Sequence, residues 1–90
     1  MEVKKIRISN PYGLHMRHAA DVVARARKHS SKIFLCHKCK FADTCSILEV
    51  LTLGAAKNDE LALIADGPDE KEAIKNICEL FMEKNESEIL

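Results

Sequence analysis

The chain is 90 residues long, which is one small domain and leaves no room for a second. Its 14 basic and 14 acidic side chains cancel, so net charge offers no route to nucleic acid or to a membrane surface, and any charged partner must be met by a local patch. With 47% hydrophobic residues but only three Phe, one Tyr and no Trp, the core has to be built from Ile, Leu, Val and Ala.

In chain order, Ile6 and Ile8 alternate with Lys5 and Arg7, the period of a half-covered or edge strand, and the breakers of "SNPYG" end it. From Met16 onward Met16, Ala19, Ala20, Val23 and Ala26 recur at helical spacing, with Asp21 early and Arg25, Arg27 and Lys28 late, as the helix dipole favours. "KIFLC" (32–36) and a second short strand from Lys40 read as a hairpin that turns at 37–39. In "SILEVLTLG", Ser46 and Glu49 have capping-box spacing and Gly54 stops a short second helix. "LALIA" (61–65) is the fourth strand. A third helix starts near Asp69, with Glu72 three residues on and Ile74, Ile77, Cys78 and Phe81 as its buried stripe. The last residues, 85–90, are expected to fray.

The order β-α-β-β-α-β-α places the three helices on one face of a four-stranded antiparallel sheet, an α+β open-faced β-sandwich within a single domain, 1–90. No apolar run approaches the roughly 20 residues of a membrane span, and no signal-peptide core follows Met1, so a cytoplasmic protein is expected. Cys36, Cys39, Cys45 and Cys78 are accordingly expected as reduced thiols.

The chemistry concentrates in "YGLHMRHAA", 12–20. A helix beginning at Met16 puts His15 at its N-cap, beside backbone N–H groups that have no partner inside the helix. That is an anion site, and a phosphoryl group on the imidazole would face those N–H groups with the Arg17 guanidinium in reach. Imidazole is also a competent nucleophile near neutral pH, because one ring nitrogen of the uncharged form keeps a lone pair. The plainer alternative is that His15 begins a helix and Arg17 is a solvated cation.

The segment "GLHMR" followed by "AA", together with "CSILEVLTLG" and the element order, resembles the HPr family, the histidine-containing phosphocarriers of the bacterial phosphoenolpyruvate-dependent sugar phosphotransferase system, over residues 1 to about 85. The resemblance implies an HPr-like fold and a phosphoryl carrier, not an enzyme, that needs no cofactor. It implies that His15 accepts phosphoryl through Nδ1, that Arg17 is its electrostatic partner, and that N–H groups at Met16 and Arg17 hold the phosphate; His18, where the family has a proline without an N–H, would add one donor near it. Ser46 matches the serine that a dedicated kinase modifies in many relatives, and a local N-cap explains the same serine without any kinase. Met16, Ala20, Arg27, Ile47, Leu48 and Leu51 match the partner-docking face, although Leu48 and Leu51 would serve equally as core. Implied partners are the first enzyme of the system, sugar-specific acceptor domains and a serine kinase or phosphorylase, with the chain acting as a monomer.

Two departures from the family pattern stand out. His18 replaces a proline that would preset φ in the first turn, and it is expected as a partly exposed helix residue; Ala24 replaces a residue that is often lysine. The hairpin carries "CHKC", so Cys36 and Cys39, with Cys45 or His37, supply at most an incomplete zinc set, while Cys78 belongs to the core. Two other readings therefore accompany the carrier: a regulatory binding module switched by phosphorylation of His15 or Ser46 in an incomplete transport system, and a cysteine-based metal-binding variant of the scaffold.

Overall fold

A computed structural model describes residues 1–82. The elements are β1 (Glu2–Arg7), α1 (Met16–Ala26), β2 (Lys32–His37), β3 (Lys40–Asp43), α2 (Ile47–Thr52), β4 (Glu60–Asp66) and α3 (Glu70–Met82). They form one antiparallel sheet in the order β1-β4-β2-β3, which makes β1 an edge strand, as its alternation indicated. The expected fraying of 85–90 lies outside the described residues.

Alternation divides the sheet into two faces. Ile6, Ile33, Leu35, Leu61, Leu63, Ala65 and Ala42 point to the buried side, where they join Val22, Val23, Val50 and Ile77 from the helices in one core. The opposite face carries Val3, Phe34, Cys36, Phe41 and Ile64 in exposed or half-buried positions, with Ile64 paired between Val3 and Phe34. The sandwich is therefore open on one side. The β2–β3 hairpin closes at the His37–Lys40 pair through Lys38 and Cys39, both at positive φ (49° and 69°), the signature of a two-residue type I′ turn.

The buried stripe of α1 is rotated from the expected one. His18, Ala19, Val22, Val23 and Ala26 face the core, whereas Met16 is 62% exposed and Ala20 only half-buried. His18 is thus not a partly exposed residue: its side chain is buried, and its ring lies 4.8 Å from that of Phe81 on α3. The physical reason is the packing of α1 on α3, which turns the face carrying His18 toward Phe81 and leaves Met16 outside. Nor does Asp21 complement the dipole, since the first turn of α1 holds no acidic residue.

Two caps also differ from their sequence signatures. Ser46 Oγ accepts the Glu49 N–H at 3.3 Å, but the Glu49 carboxylate accepts the Asp43 N–H instead of returning to Ser46, so only half of the capping box forms. Asp69 turns its carboxylate away from α3 toward the α1–β2 connection, accepting from the N–H groups of Ser30 and Ser31, the Ser31 hydroxyl and His29 Nδ1. The Ser31 hydroxyl bond, helped by His29 and the two N–H groups, holds the Asp69 carboxyl well below the usual carboxylate range. Cys78 packs in the core, as expected.

Candidate functional site

The site is built on the β1–α1 connection. The Asn10 carbonyl accepts the Gly13 N–H at 2.9 Å, closing a turn, and the Asn10 side chain accepts the Tyr12 N–H at 2.8 Å. Gly13 sits at φ 72°, and a Cβ there would stand 2.6 Å from the Ala55 carbonyl oxygen, so the close approach requires glycine. Leu14 then donates its N–H to that same Ala55 carbonyl at 3.1 Å and buries its side chain. The segment 55–59 that receives this loop is itself fixed: Ala56 N–H bonds the Asp59 carboxylate, which lies 3.2 Å from His37 Nε2, while His37 Nδ1 donates to the Leu53 carbonyl. The Ala56 N–H, with the nearby His37 in support, lowers the Asp59 carboxyl from its ordinary range.

His15 follows at the N-cap of α1 in extended conformation, and its side chain caps nothing. The first helical bond runs from Ala19 N–H to the His15 carbonyl at 2.8 Å, so the N–H groups of residues 16 to 18 lie ahead of the helical ladder. With no acid in the first turn, the positive end of the dipole there is not neutralised locally. Arg17 is exposed and ion-paired with no described residue, leaving its guanidinium available to an incoming anion. The His15 ring is half-buried, 6.2 Å edge-to-face from the exposed Tyr12 ring and 6.3 Å from that of His18, and its Nε2 meets Asn10 Nδ2 at 2.9 Å. An imidazole in this place can take a phosphoryl group on its other nitrogen beside two kinds of donor.

The structure brings most of the expected residues together and separates a few. Met16 and Arg17 flank His15 on the exposed side, whereas the His18 side chain is withdrawn into the core and only its backbone stays in the first turn. α1 and α2 pack side by side, which joins Met16, Ala20 and Arg27 to the α2 residues. Leu48 is 74% exposed and therefore surface; Ile47 and Leu51 are half-buried and lean on the core. Arg27 reaches across to the Cys45 carbonyl at 3.2 Å, next to Ser46, and the exposed Ala24 adds no cation beside it. The His37 ring is buried, with Nδ1 donating to the Leu53 carbonyl and Nε2 lying 3.2 Å from the Asp59 carboxylate, and among the described residues no three His, Cys, Asp or Glu side chains converge on a metal position. Asn10 also belongs to the site, although in the sequence it reads only as a turn residue; an Asn two positions before a residue whose N–H needs a partner is the signal that points to it.

Comparison with known proteins gives a consistent result. A family model described as "PTS HPr component phosphorylation site" matches residues 3–83. The chain is similar to the phosphocarrier protein HPr of Treponema pallidum (strain Nichols), at 39% identity over 88 residues, 98% of this chain and 100% of the relative. Its structure is similar to HPr-C-His from Thermoanaerobacter tengcongensis, with a TM-score of 0.89 at 38% identity, covering 93% of this chain and 94% of that one. An HPr dimer from the same organism superposes with a TM-score of 0.74 at 38% identity, covering 93% and 97%.

Proposed function

The chain belongs to the HPr family of phosphotransferase-system phosphocarriers, and from that membership we propose that His15 is its phosphoryl-accepting residue. HPr carries a phosphoryl group and does not by itself catalyse a reaction. In this chain the group would arrive from the phosphoenolpyruvate-dependent first enzyme, reside on the imidazole and leave for sugar-specific or regulatory acceptors in the cytoplasm. The observation that carries the assignment is the uncapped His15 at a helix start without acidic residues, with Arg17 beside it. Met16 and Arg17 N–H groups hold the phosphate, and position 18 contributes through its backbone, not its ring.

Docking would use the exposed Met16 and Leu48, with Ala20, Ile47, Leu51 and Arg27 around them. A phosphate on Ser46 would sit next to Leu48 and oppose that docking by adding charge to an apolar contact, which is the regulatory part of the reading. The working unit is a monomer.

Incubation with phosphoenolpyruvate and the system's first enzyme should add one acid-labile, base-stable phosphate to the chain. His15→Ala should abolish labelling, Arg17→Ala should slow it, and His18→Ala should label while losing stability because its ring no longer packs on Phe81. Phosphate mapped to His18, or none on wild type with an active enzyme, would sink the assignment.

A further inference from the structure

Asn10 is buried, at 6% exposure, and both ends of its amide are in use. Because the Tyr12 N–H points at one end from 2.8 Å, that end must be the oxygen; the reverse orientation would set donor against donor. The NH2 end therefore faces His15 Nε2 at 2.9 Å, and Nε2 must be the acceptor. A neutral ring that satisfies this contact carries its proton on Nδ1, and a proton on Nε2 and the Asn10 bond exclude each other.

We propose that Asn10 is a positioning residue that turns Nε2 inward, leaves Nδ1 as the phosphoryl-bearing atom, and prolongs the life of the phosphorylated carrier by withholding the proton its cleavage needs. This rests on the reading of His15 as acceptor. In loading, the resting ring first gives up its Nδ1 proton to water and takes one on Nε2, which releases the Asn10 bond. The Nδ1 lone pair so freed forms the P–N bond while the bond from phosphorus to the donor atom breaks, the electron pair stays with that donor, and the Nε2 proton then leaves to water. The product is a neutral phosphoimidazole whose Nε2 lone pair again accepts from Asn10. Unloading runs the other way: Nε2 takes a proton, the P–N bond breaks with its pair returning to Nδ1, and phosphoryl passes to an acceptor or to water. Without a proton on Nε2 the leaving group would be an imidazolate, far too basic to depart. A donor fixed at Nε2 opposes that protonation directly, so it slows loss to water until a partner displaces the loop. Among the described residues, the Tyr12 and His18 rings lie near the His15 ring, and the exposed Arg17 follows two positions on in the first turn of α1. The 55–59 segment turns Ala55 and Ala56 to the loop and directs the Asp59 carboxylate toward Ala56 and His37. None of these changes in the variants below.

The test is the decay of purified phosphorylated protein near pH 7 together with imidazole 15N shifts of the unphosphorylated form. Wild type should show a pyridine-type Nε2 and a protonated Nδ1. Asn10→Ala should move the ring toward the Nε2–H tautomer and shorten the phosphohistidine lifetime by about fivefold, the factor that one net hydrogen bond represents. Asn10→Asp keeps an oxygen for the Tyr12 N–H yet offers Nε2 an acceptor, so it should shift the tautomer at least as far and also shorten the lifetime. If turn loosening were the cause, the Asp variant would instead match wild type. An Nε2–H ring in wild type, or equal lifetimes in all three proteins, overturns the role of Asn10 and leaves His15 as acceptor intact; failure of wild type to form any phosphohistidine overturns both.

Discussion

The first two helices begin within one surface, and they begin in opposite ways. At α2 the Ser46 hydroxyl accepts the Glu49 N–H, and an acidic residue already stands in the first turn. At α1 the N-cap side chain accepts nothing from the helix, the first turn has no acid, and the imidazole is held by Asn10 from behind. A helix start that satisfies itself is a structural end; one left open is a place for an anion to come and go. α3 is a third case, since the Asp69 carboxylate at its start serves the neighbouring connection, not its own helix. The side chain at an N-cap position thus indicates a function only when its hydrogen bonds are known.

The largest effect should come from breaking the open start. Gly13→Ala places a Cβ against the Ala55 carbonyl in a left-handed conformation, and about 2–3 kcal/mol of stability should be lost. Denaturant titration measures this, and the rate of phosphoryl acceptance should fall with it because Leu14 and His15 are displaced together. A Gly13→Ala protein with an unchanged midpoint would show that Ala55 does not fix the loop.

Asp69→Asn tests the borrowed start. The folded-state carboxyl of Asp69 is held below its ordinary value, so its contribution is complete above the unfolded carboxyl range and drains away as pH falls below about 4. Thermal midpoints should therefore be lower for the Asn variant at pH 7, with the gap to wild type narrowing in acid. A gap that stays constant down to pH 3 would assign the effect to shape and not to charge.

The closed start should respond least. Ser46→Ala leaves the Glu49 N–H without its acceptor and should cost about 1 kcal/mol, whereas Ser46→Asp retains a cap and should stay within about 0.5 kcal/mol of wild type. Titration against the first enzyme should nonetheless show weaker binding for the Asp variant, because its charge lies beside Leu48. Equal affinities would remove Ser46 from the docking face.

Much of the architecture could be read along the chain. The seven elements, the hairpin turn at 37–39, the stop at Gly54 and the H-x-R segment at a helix start all depend on neighbours within a few residues, and local sterics decide them. Where the reading missed, a polar or ambiguous residue had two possible partners. Periodicity placed a helix at 16–26 but could not choose between Met16 and His18 for its inner stripe, since that depends on Phe81, more than 60 positions later. Glu49 had the spacing to return to Ser46 and bonded Asp43; Asp69 had the position to cap α3 and bonded Ser31.

The order and kind of the elements and the candidate acceptor His15 are legible along the chain, because backbone propensity, side-chain period and a short motif are local properties. Long-range packing alone settles that His18 is core, that Leu48 is surface, that the His37 ring is buried with Nδ1 on the Leu53 carbonyl, and that Asn10 takes the inner nitrogen of His15. Each of these depends on which segments the fold brings within hydrogen-bonding or van der Waals distance, and that is set by closure of the whole chain around one core.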